Sequence, residues 1–294
     1  MHRAKHHAFA VLAVLALSGC LGPESVAPLT AWAPTLEMHT LVEEPSAELA
    51  PERRAFAVRE KPECAPVESL DVLFIGNSYV IQSDTPGLLQ SMADDAGVDF
   101  HVERLAVGGK DFEFHLARAQ TQQKLAERQW DVVFLQSHSL DPLRNPDGFA
   151  KAGAELVDAV RGVGADPWLF ETWARREGHN LYNYMDEVGK SPDEMQSRVT
   201  ARYHALARDT GVPVAKVGTA WLRLTEDHPE VKPFLKDGAH PAEAGAYLSA
   251  AVVFAYLTER DPRGVLQPHG AVDGKTAAVL QDVAAEVVDP PCTW

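Results

Sequence analysis

The chain has 294 residues, 46% hydrophobic and 23% charged, which is ordinary globular composition for one substantial domain or two small ones. A formal net charge of −15 argues against a nucleic-acid surface, which needs a basic face, and favours solubility.

The N-terminal 1–19 read as a secretory signal. Arg3 and Lys5 form a short basic start, and Ala8 to Leu17 is apolar but too short to span a bilayer as a mature helix. The stretch Leu17-Ser18-Gly19-Cys20 resembles the bacterial lipobox. That resemblance implies cleavage before Cys20 and a diacylglycerol on its sulfur, hence an exported lipoprotein held at the cell envelope, with an outer-membrane or surface position expected. Residues 20–66 are rich in Pro, Glu and Ala without sustained periodicity and read as a tether, since such a segment buries too little to offset its ordering entropy. Cys64 and Cys292 flank the remaining domain, 67–294. In an exported chain such a pair suggests a disulfide joining the domain's ends, with two free thiols as the alternative. Neither has a histidine in ligand spacing, so no metal is expected, and no cofactor motif is present.

From Leu70 onward strand and helix signals alternate, the pattern of a parallel sheet covered on both faces. Val72 to Ile75 is the first buried strand, and Gly76-Asn77-Ser78 follows at its carboxyl end. Thr85-Pro86 opens a helix, as N-cap and first residue, that runs to Ala96 before Gly97. The second strand spans 98–107 and ends in Gly108-Gly109. A helix is expected over 112–129 and the third strand over 131–136, ending at Gln136. A loop with two prolines leads to a helix over 148–163, and the fourth strand covers 167–173. The polar stretch 174–190 reads as a loop over the site. Ser191 and Glu194 form a capping box for a helix to Asp209. The fifth strand is placed at 212–217, at an edge because of Pro213. Helices over 219–224, from Pro241 to Thr258, and over 275–288 complete the chain.

Chemistry collects at the strand ends, where open α/β sheets form their sites. Ser78 stands where a nucleophile belongs, although serine is also an ordinary turn residue. Asp237 and His240 lie three apart in a loop ahead of Pro241. Acyl transfer by serine needs a base for the hydroxyl proton and a group that orients the imidazole, and an Asp-x-x-His step can supply both. Gly109 offers a backbone N–H and Gln136 a carboxamide, which together with the Ser78 N–H make three donors for one oxyanion. Asn77, Gly108, His138 and Trp173 are candidate substrate contacts. Trp173, Tyr182 and Tyr184 are the residues to examine for stacking on a sugar ring, with packing beneath the loop as the plainer reading.

Serine after strand one, glycine after strand two, an amide after strand three and Asp-x-x-His before a late helix together resemble the SGNH (GDSL-like) hydrolase family, over about 69–266. The resemblance implies a flavodoxin-like, three-layer α/β/α fold on a five-stranded parallel sheet. It also implies hydrolysis of esters, with Ser78 as nucleophile, His240 as general base, Asp237 as its partner, and Gly109 and Gln136 completing the oxyanion hole. The usual Gly-Asp-Ser reads Gly76-Asn77-Ser78 here, and Gln136 replaces an asparagine; a subgroup with Gly-Asn-Ser and Leu-Gln blocks looks like this chain. The expected activity is a serine esterase removing a short acyl or acetyl group from a small-molecule, carbohydrate or cell-envelope ester. An acyltransferase on the same triad and a non-catalytic surface binding module are the alternatives. An α/β-hydrolase needs Gly-x-Ser-x-Gly, and Val80 stands where its second glycine belongs.

Overall fold

The computed structural model describes residues 67–288, all within one compact unit. Five strands make one parallel sheet in the order β2-β1-β3-β4-β5. They are β1 (Ser69–Gly76), β2 (Asp99–Ala106), β3 (Val132–Leu135), β4 (Asp166–Phe170) and β5 (Val214–Ala215). The chain leaves β1 outward to β2, then returns to pair β3 on β1's other side. The strand order therefore reverses between β1 and β3, and a crevice opens beyond their carboxyl ends. The register brings Ile75 opposite Leu135, so Gly76 and Gln136 emerge side by side.

Helices cover both faces because β1 is apolar on both. Val72 and Phe74 point into one core with α2 (Thr85–Asp95), α9 (Val217–Asp227), α10 (Glu243–Thr258) and α11 (Gly274–Val288). Leu73 and Ile75 point into the other, with α3 (Phe112–Ala117), α4 (Ala119–Ala126), α6 (Pro146–Gly162) and α8 (Pro192–Thr210). Short helices α1 (Ser78–Ile81), α5 (Asp141–Arg144) and α7 (Leu181–Tyr184) sit in loops. This is the three-layer α/β/α architecture expected from the alternating pattern.

Several local expectations change. The cap of α2 is Asp84, in left-handed backbone, and Thr85 is already helical. The long helix expected over 112–129 breaks at Arg118, whose extended backbone separates α3 from α4. Val217 belongs to α9, so β5 is two residues long. Pro241 does not open α10; it bridges to Phe234 in the preceding loop. The Ser191 hydroxyl caps the Glu194 N–H at 3.2 Å, while the Glu194 carboxylate reaches the Lys190 N–H at 3.0 Å rather than that of Ser191. Segment 174–190 is tied down: the Tyr182 hydroxyl donates to the Arg175 carbonyl at 2.6 Å, and the Arg176 N–H donates to the Gly238 carbonyl at 2.9 Å.

No disulfide is found among the described residues; Cys64 and Cys292, whose bond was expected, lie outside them, as does Cys20. Packing holds the ends of the described domain. β1 is central in the sheet, and α11 buries Leu280, Val283 and Ala284. No helix among the described residues is long and apolar enough to cross a membrane; Cys20, the expected point of lipid attachment, lies outside those residues.

One glycine tests the packing behind the site. A Cβ on Gly245 of α10 would come within 2.3 Å of the Trp221 ring and 2.4 Å of the Pro233 carbonyl. Glycine-to-alanine normally favours a helix by up to about 1 kcal/mol. Here overpacking outweighs that gain, and Gly245→Ala is expected to cost about 1–3 kcal/mol. Urea unfolding should show a lower midpoint at unchanged m.

Candidate active site

Ser78 begins α1 directly after β1. Its entry turn is held by Asn77, whose side-chain oxygen accepts the Tyr79 N–H at 3.0 Å as an N-cap. The Asn77 amide also donates to the Lys110 carbonyl at 2.9 Å, pinning the Gly108-Gly109-Lys110 loop beside it. Asn77 is thus buried and fully engaged, a builder of the turn rather than a substrate contact. His115, missed in the sequence because it has no ligand spacing, is buried below and donates from Nε2 to the Gly76 carbonyl at 2.8 Å. Burial holds its pKa down.

The loop before α10 carries the other two candidates. His240 Nε2 lies 2.9 Å from Ser78 Oγ, and His240 Nδ1 lies 2.6 Å from Asp237 Oδ2. Residues 162 positions apart therefore meet in one hydrogen-bonded chain at the sheet's rim. The other Asp237 oxygen accepts the backbone N–H groups of Ala239 (2.9 Å) and His240 (3.0 Å). Burial alone would raise the Asp237 carboxyl; the bonds from the His240 ring and from those two N–H groups outweigh it and hold it at about 2. The carboxylate stays ionised, and only Nδ1–H can face it.

The imidazole leans on aromatic rings. Tyr79 meets it edge-on at 5.4 Å and stacks on Trp173 at 4.4 Å; Trp173 in turn stacks on Trp221 at 3.9 Å. The Trp173 indole N–H donates to the Ala239 carbonyl at 2.9 Å, which fixes the loop between Asp237 and His240. Both faces of Trp173 are covered, so it is scaffold and not the sugar platform considered from sequence; Tyr182 is likewise buried, and only Tyr184 is exposed. Arg175, another residue without a sequence signal, is 6% exposed and donates to the Tyr79 hydroxyl and to Ser139 Oγ (2.9 Å). It ties the loop after β4 to those after β1 and β3.

Gln136 does not present the free amide expected of it. Its side-chain oxygen accepts the Asn77 N–H at 3.0 Å, and its Nε2 donates to Asn77 Oδ1 (3.2 Å) and the Ser137 carbonyl (2.6 Å). Both amide hydrogens are used, in a fully buried position. Gly109 is left-handed, with φ +70°, and the space where a Cβ would project is open, as it is at Gly108. The N–H groups of Ser78 and Gly109 have no hydrogen-bond partner among the described residues. His138 lies half-buried two residues beyond Gln136. No cluster of metal-ligating side chains is present among the described residues. A cavity of about 510 Å³ is lined by Trp173, Arg175, Trp221, Phe234 and Lys236 among others, and none of Ser78, Asp237 and His240 borders it.

No family model and no curated protein matches the chain. Solved structures do. A protein from Slackia heliotrinireducens described as "a putative SGNH hydrolase" is 28% identical, with TM-score 0.56, over 65% of this chain and 100% of its own. A DUF4886 family protein from Bacteroides uniformis is 19% identical, with TM-score 0.65, over 76% and 96%. The acetyl xylan esterase AlAXEase is 16% identical, with TM-score 0.52, over 64% and 100%. The last two likenesses speak for the fold alone. The fold is that of a three-layer α/β/α protein, and the Slackia likeness supports hydrolase activity in general terms. Within that class, the Slackia likeness supports assignment to the SGNH (GDSL-like) hydrolases at the level of the family, without choosing a subgroup.

Proposed function

We propose that the protein is a serine esterase in which Ser78 is the nucleophile, His240 the general base and Asp237 the residue that orients and charges-balances the imidazole. The observation that carries this reading is the continuous Ser78–His240–Asp237 chain, at 2.9 and 2.6 Å. Serine is a weak nucleophile until a base accepts its proton, and an imidazole held by a carboxylate is such a base. The Ser78 and Gly109 N–H groups supply backbone donors to the oxygen that gains charge. The finer reading is a short acyl group, acetyl first, on a carbohydrate or cell-envelope ester. It rests on the export expected from the N-terminal sequence.

A serine-directed fluorophosphonate tests the mechanism. The expected result is one label per chain, on Ser78, with loss of p-nitrophenyl acetate turnover in proportion to labelling. Label elsewhere, or turnover that survives full labelling, would overturn it. Comparing p-nitrophenyl acetate, butyrate and octanoate tests the acyl length; a preference for octanoate would remove the short-acyl reading.

A further inference from the structure

The reaction leaves one position unfilled. An oxyanion at Ser78 has two backbone donors, but Gln136 has spent both amide hydrogens on Asn77 and Ser137. The crevice between the ends of β1 and β3 is where such a sheet places a ligand, and the chain leaving the end of β3 continues Gln136-Ser137-His138-Ser139. Arg175 fastens that segment to the nucleophile turn by bonding both Ser139 and Tyr79.

The His138 ring has a defined tautomer. Its Nδ1 accepts the Leu140 N–H at 3.2 Å, so the neutral ring carries its proton on Nε2, which makes no hydrogen bond among the described residues. Doubly protonated imidazole would point two hydrogens at each other at Nδ1. Burial holds the pKa down first, helped by Arg175, Arg144 and His240; Asp111 alone opposes. These neighbours sit on the loops after β2, β3 and β4 and on the loop before α10.

Resting on the esterase reading, we propose that His138, as a neutral Nε2–H donor, supplies the side-chain hydrogen bond to the oxyanion in place of Gln136. Ser78 Oγ bonds to the carbonyl carbon, its proton passes to His240 Nε2, and the carbonyl π pair moves onto oxygen. That oxygen accepts from His138 Nε2–H and the Ser78 and Gly109 N–H groups; His138 gives up no proton. Collapse breaks the bond to the leaving alkoxide, which takes the proton from His240. Water repeats the sequence on the acyl-enzyme. A neutral imidazole suits this task because its N–H polarises oxygen without becoming a competing acid.

Two variants and one adduct test the assignment. His138→Ala is expected to lower kcat by about 10²–10³ with KM within twofold, the pattern of a donor used only in the transition state. His138→Asn can still accept the Leu140 N–H through its side-chain oxygen but is too short to reach the oxyanion, so it should fold as wild type and lose the same kcat. In a crystal of the Ser78 phosphonate, His138 Nε2 should lie within hydrogen-bonding distance of the phosphonyl oxygen. Wild-type kcat in either variant, or a phosphonyl oxygen contacted by Gln136 instead, would overturn the proposal while leaving Ser78 as nucleophile. A wild-type protein that neither labels nor turns over would remove the nucleophile itself, and this donor with it.

Discussion

Alanine at Ser78 or at His240 is expected to lower kcat for p-nitrophenyl acetate by roughly 10⁶, and the double variant should be no slower than either single one, because the two groups act as a unit. The reason is the proton. Without His240 the Ser78 hydroxyl has no acceptor at 2.9 Å, and without Ser78 the imidazole has nothing to deprotonate but water. Residual rate would come from the backbone donors and from binding, neither of which needs the pair. Steady-state kinetics on the three variants decides the matter. Losses that multiply in the double variant would show two independent contributions and sink the relay.

Asp237→Asn is expected to lower kcat by on the order of 10⁴ while leaving the fold intact. The local hydrogen bonds say why. One Asp237 oxygen accepts the Ala239 and His240 N–H groups, so an asparagine must keep its oxygen there. Its NH₂ then faces His240 Nδ1 and donates to it. The ring proton is forced onto Nε2, where it points at Ser78, and the acceptor is lost. Asp237 is exposed, so water competes for its place, but water does not restore the carboxylate or its control of the tautomer. The pH profile gives a second check. Because Asp237 is held at about 2, it stays ionised through the range in which histidines titrate. Protonation of Asp237 should therefore add nothing to the acid limb of wild-type kcat/KM until pH approaches 2. A two-proton limb near neutrality would contradict the ionised partner.

The strands were legible because β1 and β3 are apolar on both faces, and only a doubly covered parallel sheet buries them. The breaks at Arg118 and the shortness of β5 were not, since helix periodicity continues through Arg118 and Val212 to Val217 reads as a strand. His115, Tyr79 and Arg175 escaped notice for one reason: each acts through a partner distant in the chain, at Gly76, His240 and Ser139. Asn77 and Trp173 run the other way, with packing already the plainer reading of Trp173. Their chemistry suits substrate contact, but stacking and capping had already used their surfaces.

What the amino-acid order determined alone was the layered α/β class and the residues that end up at the strand ends. Alternation of apolar runs with amphipathic stretches specifies buried strands, and parallel strands put their carboxyl ends on one rim. What only the tertiary structure decided was which side chains there remain free to act. Gln136 and His138 are both competent donors by type. A hydrogen bond to Asn77 silences the first, and one from Leu140 sets the proton of the second, because hydrogen-bonding capacity is finite and contacts made across the fold consume it.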